Sequence, residues 1–341
     1  MKPIMTSNET SSSRTKLMLC GAGSLGKSFL RHLRDLQDEF NLVAVVTAHH
    51  GQLINADGVD PSIALNLIEA EGFDTSSTSS IEEIIEAVKP EILIECIPQN
   101  MRSGDPALGI LKTALDKGVH VVTANKSAVA LGYRDLLHRA AKANVTIGFE
   151  ATVLDGVPLF SFIEQMKKTE IVSVRGVVNG TSSLVLESLQ YGSTRSRGLA
   201  RAQALGIAEA DTVLDLDGWD ASAKAALLAN VWMNGSLRVF DVVRSGCETL
   251  KDEDVKAAAE QGRYRLVIEA TRTEAGQAKA TVTPTLLEPT DPLYSLTGAS
   301  GGLQVTTSSG QKMVFLHNSP GLESAAHGLL HDCRRAVAAS S

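Results

Sequence analysis

From Lys16 the chain alternates between short apolar runs and longer stretches in which apolar residues recur every three or four positions. The first run, Leu17 to Cys20, leads straight into Gly21-x-Gly23-x-x-Gly26, and then Phe29, Leu30, Leu33 and Leu36 recur at helical spacing. The order predicted is strand, glycine turn, amphipathic helix. "LVAVVT" (42–47), "PEILIECIP" (90–98), "VHVVTANK" (119–126) and "VTIGFEATV" (145–153) read as further buried strands. "GDPALGILKTALDKG" and "SAVALGYRDLLHRAAKAN", which lie between them, read as helices. Strands separated by helices of this length pair in parallel, which predicts an α/β fold on a Rossmann-type doubly wound parallel sheet. Later, "AGQAKATVTPTLLEPTDPLYSL" and "GLQVTTSSGQKMVFL" alternate polar and apolar residues, as strands of a second sheet in an α+β region would. "SAAHGLLHDCRRAV" reads as a final helix.

The glycines give the first half a chemistry. Gly21 permits the tight turn, Gly23 lets the backbone approach a pyrophosphate, and Gly26 lets helix and strand pack closely. Ser24 and Leu25 open the helix whose free N–H groups would face the anion. The alternative is a glycine turn that holds no ligand. Ligands of such sheets sit beyond the carboxyl ends of the strands, which places Cys96 to Gln99, with Ile97 and Pro98, and Thr123 to Lys126 along the crevice. The second strand should end in an acid for the adenosine ribose, but the chain runs Thr47-Ala48-His49-His50 with no acid before Asp57. Without that carboxylate a 2′-phosphate is not repelled, which tilts the expected cofactor toward NADP, with NAD possible. His49 or His50 could donate to the phosphate or be plain loop residues.

Length and charge narrow the function classes. At 341 residues the chain exceeds one ordinary core, so two sub-domains are expected. A formal charge of −7 argues against nucleic acid or an acidic membrane as partner, and no apolar run reaches transmembrane length. Cys20, Cys96, Cys247 and Cys333 form no close pair, and the polar opening "MKPIMTSNETSSSRT" lacks the apolar core of a signal peptide. Reduced thiols in the cytoplasm are the reading that follows. His317, His327 and His331 fall on the final helix and its approach, where a helical face outweighs a metal site because no carboxylate or cysteine quartet accompanies them.

"EADTVLDLDGWDASAK" (209–224) crowds five acids ahead of one lysine. "DASAKAALLANVW" is helical in pattern, so Asp220 and Lys224, four apart, share a face. Alone, that is a surface ion pair worth about 0.5 kcal/mol or less. Set beside a cofactor site, it is also what an ammonium substrate and a proton transfer need.

Four segments carry a resemblance. "GVHVVTANKSAVA", "FEATVLDGVPLF", "RGVVNGTSSLVLESL" (175–189) and "ALGIAEADTVLDLDGWDASAKAALLA" (204–229) resemble homoserine dehydrogenases, in that family's order and over roughly residues 15 to 335. The resemblance implies interconversion of L-homoserine and L-aspartate 4-semialdehyde, in threonine and methionine biosynthesis. It implies Glu209 and Asp220 on the substrate amino group, Lys224 as acid/base, and Asp215 close behind. Lys126 would sit beside the nicotinamide and the substrate hydroxyl, with Thr181 and Gly206 in substrate loops and Gly321 near the cofactor. It further implies a sodium- or potassium-like ion on Glu150 and the carbonyls of Val153, Asp155 and Val157; a tight structural turn is the alternative there. The expected organisation is a tail over 1–15, a dinucleotide domain over 16–149 plus 321–341, and a substrate and dimerisation domain over 150–320. A homodimer is expected, and neither an aspartokinase nor a regulatory ACT-like segment. Beside the missing ribose acid, two further departures mark the chain: Leu154 and Asp155 replace small residues of the ion loop, and "HNSPG" (317–321) replaces a glycine-rich GxGAG. A lysine ammonium titrates near 10.4 when free, so a lysine suits the reductive direction and predicts an alkaline optimum for oxidation. The alternatives are a dehydrogenase of another small amino acid or amino-alcohol, and a dinucleotide-binding sensor without turnover.

Overall fold

The computed structural model describes residues 14–70, 72–73, 79–166, 169–208, 212–318 and 320–340; the expected tail falls almost wholly outside them, and so does Glu209. The first half carries β1 (Thr15–Cys20), α1 (Ser24–Leu33), β2 (Phe40–Val46), β3 (Gln52–Ile54), α2 (Pro61–Glu69), α3 (Ile81–Val88), β4 (Ile92–Glu95), α4 (Ala107–Asp116), β5 (His120–Thr123), α5 (Lys126–Ala143) and β6 (Ile147–Gly148). Then come α6 (Leu159–Gln165), β7 (Ile171–Val177), α7 (Gly180–Gln190), α8 (Arg195–Ala204), α9 (Thr212–Leu216), α10 (Trp219–Met233), β8 (Val243–Arg244) and α11 (Asp252–Ala257). β9 (Arg263–Arg272), β10 (Ala278–Leu287), β11 (Gly301–Thr307), β12 (Lys312–His317) and α12 (Leu322–Ser340) complete it.

The first sheet has the order β3-β2-β1-β4-β5-β6, parallel throughout except for β3 at one edge. This is the doubly wound sheet expected. Successive β1 side chains serve opposite faces, as strand geometry requires. Leu17 and Leu19 pack with α1, α2 and α12, whereas Met18 and Cys20 pack with α3, α4 and α5. The sequence order of strands reverses between β1 and β4, so the glycine turn after β1 opens onto the crevice where such sheets bind ligands.

The second sheet runs β12-β11-β7-β9-β10-β8 and is antiparallel but for the short β10–β8 pair. Buried residues of β7, β9, β10 and β11 share one core with α10, which also packs on α5. α10 is apolar on nearly every side because it lies between the second sheet and the first domain. That position brings its first two turns to the N-terminus of α5.

Two expectations are corrected. The strand expected over 145–153 is only Ile147–Gly148; the chain then turns through a 3₁₀ segment, Glu150–Thr152. Asp332 of α12 is the cause: its carboxylate accepts from the Glu150 N–H at 2.8 Å, and its side chain fills the space a Cβ on Gly148 would need. Thr181, expected in a substrate loop, lies instead in the first turn of α7, which follows directly on β7. All four cysteines are free, and no helix among the described residues is long and apolar enough to cross a membrane.

Candidate active site

One cavity of about 440 Å³ opens between the glycine turn and the second domain, lined by Ser24, Leu25, Lys126, Asp215, Asp220 and Lys224 among others. At its centre Asp220 is 4% exposed and bracketed by two lysines. Lys126 Nζ lies 3.0 Å from its Oδ1 and Lys224 Nζ 3.4 Å from its Oδ2. The surface ion pair allowed by spacing alone is therefore excluded: this group is buried and its second cation comes from another domain. Burial acts to raise the Asp220 carboxyl, but the charges of Lys126 and Lys224, with hydrogen bonds from Lys126 and Asn179, outweigh it and hold it well below the ordinary carboxylate range.

Local structure fixes each member. Lys126 is the first residue of α5, held there because the Asn125 side chain accepts from the Ala128 N–H as N-cap. Asp220 sits in the first turn of α10, where the helix dipole favours an anion. Lys224 Nζ donates to the Val178 carbonyl at 2.5 Å. Asn179, which spacing did not single out, ties the acids together: its Nδ2 donates to Asp215 Oδ1 at 2.8 Å and to Asp220 Oδ2 at 3.1 Å. Its Oδ1 caps α7 through the Ser182 N–H. An Asn between a strand and "GTSS" is a capping signal that sequence could have supplied.

The nucleotide end fits a dinucleotide. A Cβ on Gly21 would lie 2.6 Å from the Cys96 carbonyl carbon, so only glycine lets β1 and β4 end this closely. A Cβ on Gly23 would meet nothing within 4 Å, leaving open the approach a diphosphate needs. The N-terminus of α1 has no side-chain cap, so its first N–H groups are available to an anion.

Other expected residues divide. Gly206, Asp215 and Gly321 line the cavity, as do Val153 and Asp155, while Ile97, Pro98 and Thr181 do not. Thr181 Oγ1 instead donates to the Ile207 carbonyl at 3.4 Å, steadying the segment that carries Gly206. Glu150 is 1% exposed and holds α6: its two oxygens accept from the Phe160 and Ser161 N–H groups at 3.0 and 2.6 Å. The Val157 carbonyl accepts from the Leu159 N–H at 2.7 Å. Of the late histidines, expected without a ligand quartet, His331 meets Glu150 and its chain neighbour Asp332, with one ligand-type atom of each within 4.8 Å of the others. Folding brings Glu150 to this pair. Burial lifts the Asp332 carboxyl to about 7.

Beneath the crevice lies Glu95, fully buried at the end of β4. It accepts from Thr123 Oγ1 at 2.5 Å and from the Ile97 N–H at 2.8 Å, joining the two crevice loops. Burial lifts its carboxyl from 4.5 to about 7, against bonds from Thr123, Ile97 and Asn125. A raised folded value means stability is greatest below pH 4.5 and is lost as pH rises through 7. Relative to Glu95→Gln, the wild type should lose roughly 3 kcal/mol between those limits and nothing further above pH 8. Denaturant melts at four pH values check it; a pH-independent difference contradicts it.

The comparisons with known proteins fall on this geometry. The family model described as homoserine dehydrogenase matches residues 158–333, and that described as homoserine dehydrogenase, NAD binding domain, matches 21–150. The chain belongs to the homoserine dehydrogenase family. These are NAD(P)-dependent oxidoreductases. The homoserine dehydrogenase of Sulfurisphaera tokodaii is 29% identical over 320 residues, 93% of this chain and 97% of that one. The NAD(+)-dependent homoserine dehydrogenase of Pseudomonas canavaninivorans is 30% identical over 307 residues, 86% and 87% of the two chains. Among solved structures, a hyperthermophilic archaeal homoserine dehydrogenase in complex with NADPH superposes with a TM-score of 0.79 at 25% identity, covering 95% of this chain and 98% of that one. The Thermoplasma acidophilum homoserine dehydrogenase gives 0.82 at 25% identity, over 94% and 98%.

Proposed function

We propose that this homoserine dehydrogenase interconverts L-homoserine and L-aspartate 4-semialdehyde, a step toward threonine and methionine, with Lys224 as acid/base. The observation that carries the reading is Asp220 held between Lys126 and Lys224 in a cavity that Ser24 and Leu25, at the start of the helix after the glycine turn, also line. Asp215 and Asp220 both line that cavity, tied together by Asn179, and present an acidic face to an incoming ammonium. Asp220, with Asp215 behind it and Glu209 from the adjoining segment, receives the substrate amino group.

The bound dinucleotide supplies the hydride acceptor, or in reduction the donor. Lys224, fixed by the Val178 carbonyl and Asp220, gives a proton to the aldehyde oxygen in reduction and takes the hydroxyl proton in oxidation. Lys126, paired with Asp220, orients the same oxygen. Oxidation needs a neutral lysine, which is why an alkaline optimum is expected.

NADP is the preferred cofactor in this reading, with NAD accepted. Thr47 at the end of β2 is engaged in its own turn, accepting from the His50 N–H at 2.8 Å and donating to the Gly51 carbonyl at 3.0 Å. The stretch from Thr47 to Gly51 carries no carboxylate against a 2′-phosphate, and His49 is exposed within it. No step runs through a monovalent cation, because Glu150 and the Val157 carbonyl already serve α6. The enzyme acts as a homodimer through the second sheet, where Val314 and Leu316 are exposed on β12. It works in the cytoplasm, where its free cysteines stay reduced.

Steady-state kinetics on L-homoserine and on an analogue lacking the amino group test the substrate assignment. The expected result is turnover of the first and a loss of at least about 100-fold in kcat/KM for the second, as a charged contact buried in the site predicts. Equal turnover of both removes the ammonium pocket from the account.

A further inference from the structure

The two departures from the family pattern meet in space. Asp155 follows the 3₁₀ turn and takes the left-handed conformation, φ 50°, which Asp and Asn tolerate better than most side chains. Its Oδ2 accepts from the Gly321 N–H at 2.8 Å, across 166 positions of sequence. The adjoining Gly156 N–H donates to Ser324 Oγ at 3.2 Å, and Ser324 Oγ in turn lies 3.1 Å from His317 Nε2. A Cβ on Gly156 would come within 2.3 Å of the Ser324 carbonyl oxygen, so the two segments are in backbone contact. Asp155, His317, Pro320 and Gly321 all line the cavity that Ser24 and Leu25 enter from the nucleotide side.

Helix chemistry explains why the carboxylate is there. Pro320 has no N–H, so Gly321 supplies the first donor ahead of α12, one that the helix itself leaves unpaired. An anion at a helix N-terminus is favoured by the aligned peptide dipoles as well. Gly321 has φ 153° and a Cβ there would meet nothing within 4 Å, so its backbone faces open space that a ligand can approach.

We propose that Asp155 is a positioning residue for the dinucleotide: it holds Gly321 and the start of α12 as the cavity wall against the diphosphate and nicotinamide half. This rests on the dinucleotide reading of the site. The substitution at 155 and the one at 317–321 are then a single compensating change, in which a side-chain acceptor secures a segment that has lost its glycines.

The test uses the full chain with Asp155→Ala, Asp155→Gly and Asp155→Asn, read by fluorescence titration of NADPH and by separate KM values for cofactor and homoserine. Ala and Gly should each weaken NADPH binding and raise the cofactor KM about tenfold, the effect of losing one charge-assisted hydrogen bond. Homoserine KM and kcat should stay within about twofold. Asn keeps an acceptor and tolerates the same φ, so it should restore binding. Gly relaxes the left-handed turn that Ala strains, so a loss common to both does not come from backbone strain; thermal melts of the three confirm folding. Unchanged NADPH affinity in Ala and Gly overturns the proposal, and so does an Asn variant as weak as Ala. A wild type that binds no dinucleotide overturns the cofactor reading with it, whereas a wild type that binds and turns over with no effect at 155 overturns this proposal alone.

Discussion

Lys224→Ala should lose turnover of L-homoserine by about 10²–10⁴-fold while still binding dinucleotide, the range for removing a positioned acid/base. The fold should survive, because Asp220 keeps its 3.0 Å contact with Lys126 and its bond from Asn179. The glycine turn and the wall proposed to hold the cofactor contain no atom of Lys224. Lys224→Arg separates charge from proton transfer. Arginine keeps the cation but is never deprotonated, so alkaline oxidation should be lost nearly as fully as in the alanine variant. If arginine restores oxidation, Lys224 acts by charge alone. Initial rates at several pH values, beside NADPH binding for each variant, make the comparison.

Asp220→Asn should damage both stability and activity. The carboxylate is the acceptor that Lys126 and Lys224 share, and their side chains are only 16% and 12% exposed. Removing it leaves two buried ammoniums facing an amide, a loss of about 3–5 kcal/mol and roughly 5–10 °C in Tm. The sign with pH follows from its lowered value. A carboxyl held below its ordinary 3.8 stabilises the fold above that pH and loses its contribution as pH falls further. The gap between wild type and variant should therefore be full from pH 5 upward and close in acid. Turnover should fall with it, since the substrate amino group and both lysines lose their partner. A variant with wild-type Tm at pH 7 would show that the two lysines do not depend on Asp220.

What could be read from sequence here is what is encoded locally. The run from Leu17 through the glycines to Leu36 states strand, turn and helix within 20 residues, because each step is a short-range constraint of packing or backbone freedom. The Asp220–Lys224 pair was legible for the same reason, as i and i+4 of one helix. Partners brought by tertiary folding were not. Lys126 reaches Asp220 from 94 residues away, and Gly321 reaches Asp155 from 166. Neither pairing has a periodicity to announce it. Glu95 falls inside the buried strand expected over 90–98, and its role appears only when Thr123 and Ile97 converge on it. β9 escaped notice because an inward position holds Arg265, 1% exposed and satisfied by the Tyr264 and Leu296 carbonyls, which breaks the alternation that marks a strand. The strand expected through Glu150 failed because α12, more than 170 residues later, claims that sheet edge.

The most direct measurement is the absorbance of reduced nicotinamide after the purified protein is mixed with L-homoserine and NADP⁺, and separately NAD⁺, at alkaline pH. The account predicts that reduced cofactor accumulates, faster with NADP⁺. Dinucleotide binding with no reduced cofactor formed from homoserine or any small amino-alcohol would contradict it, and would make the chain a sensor built on this family's fold.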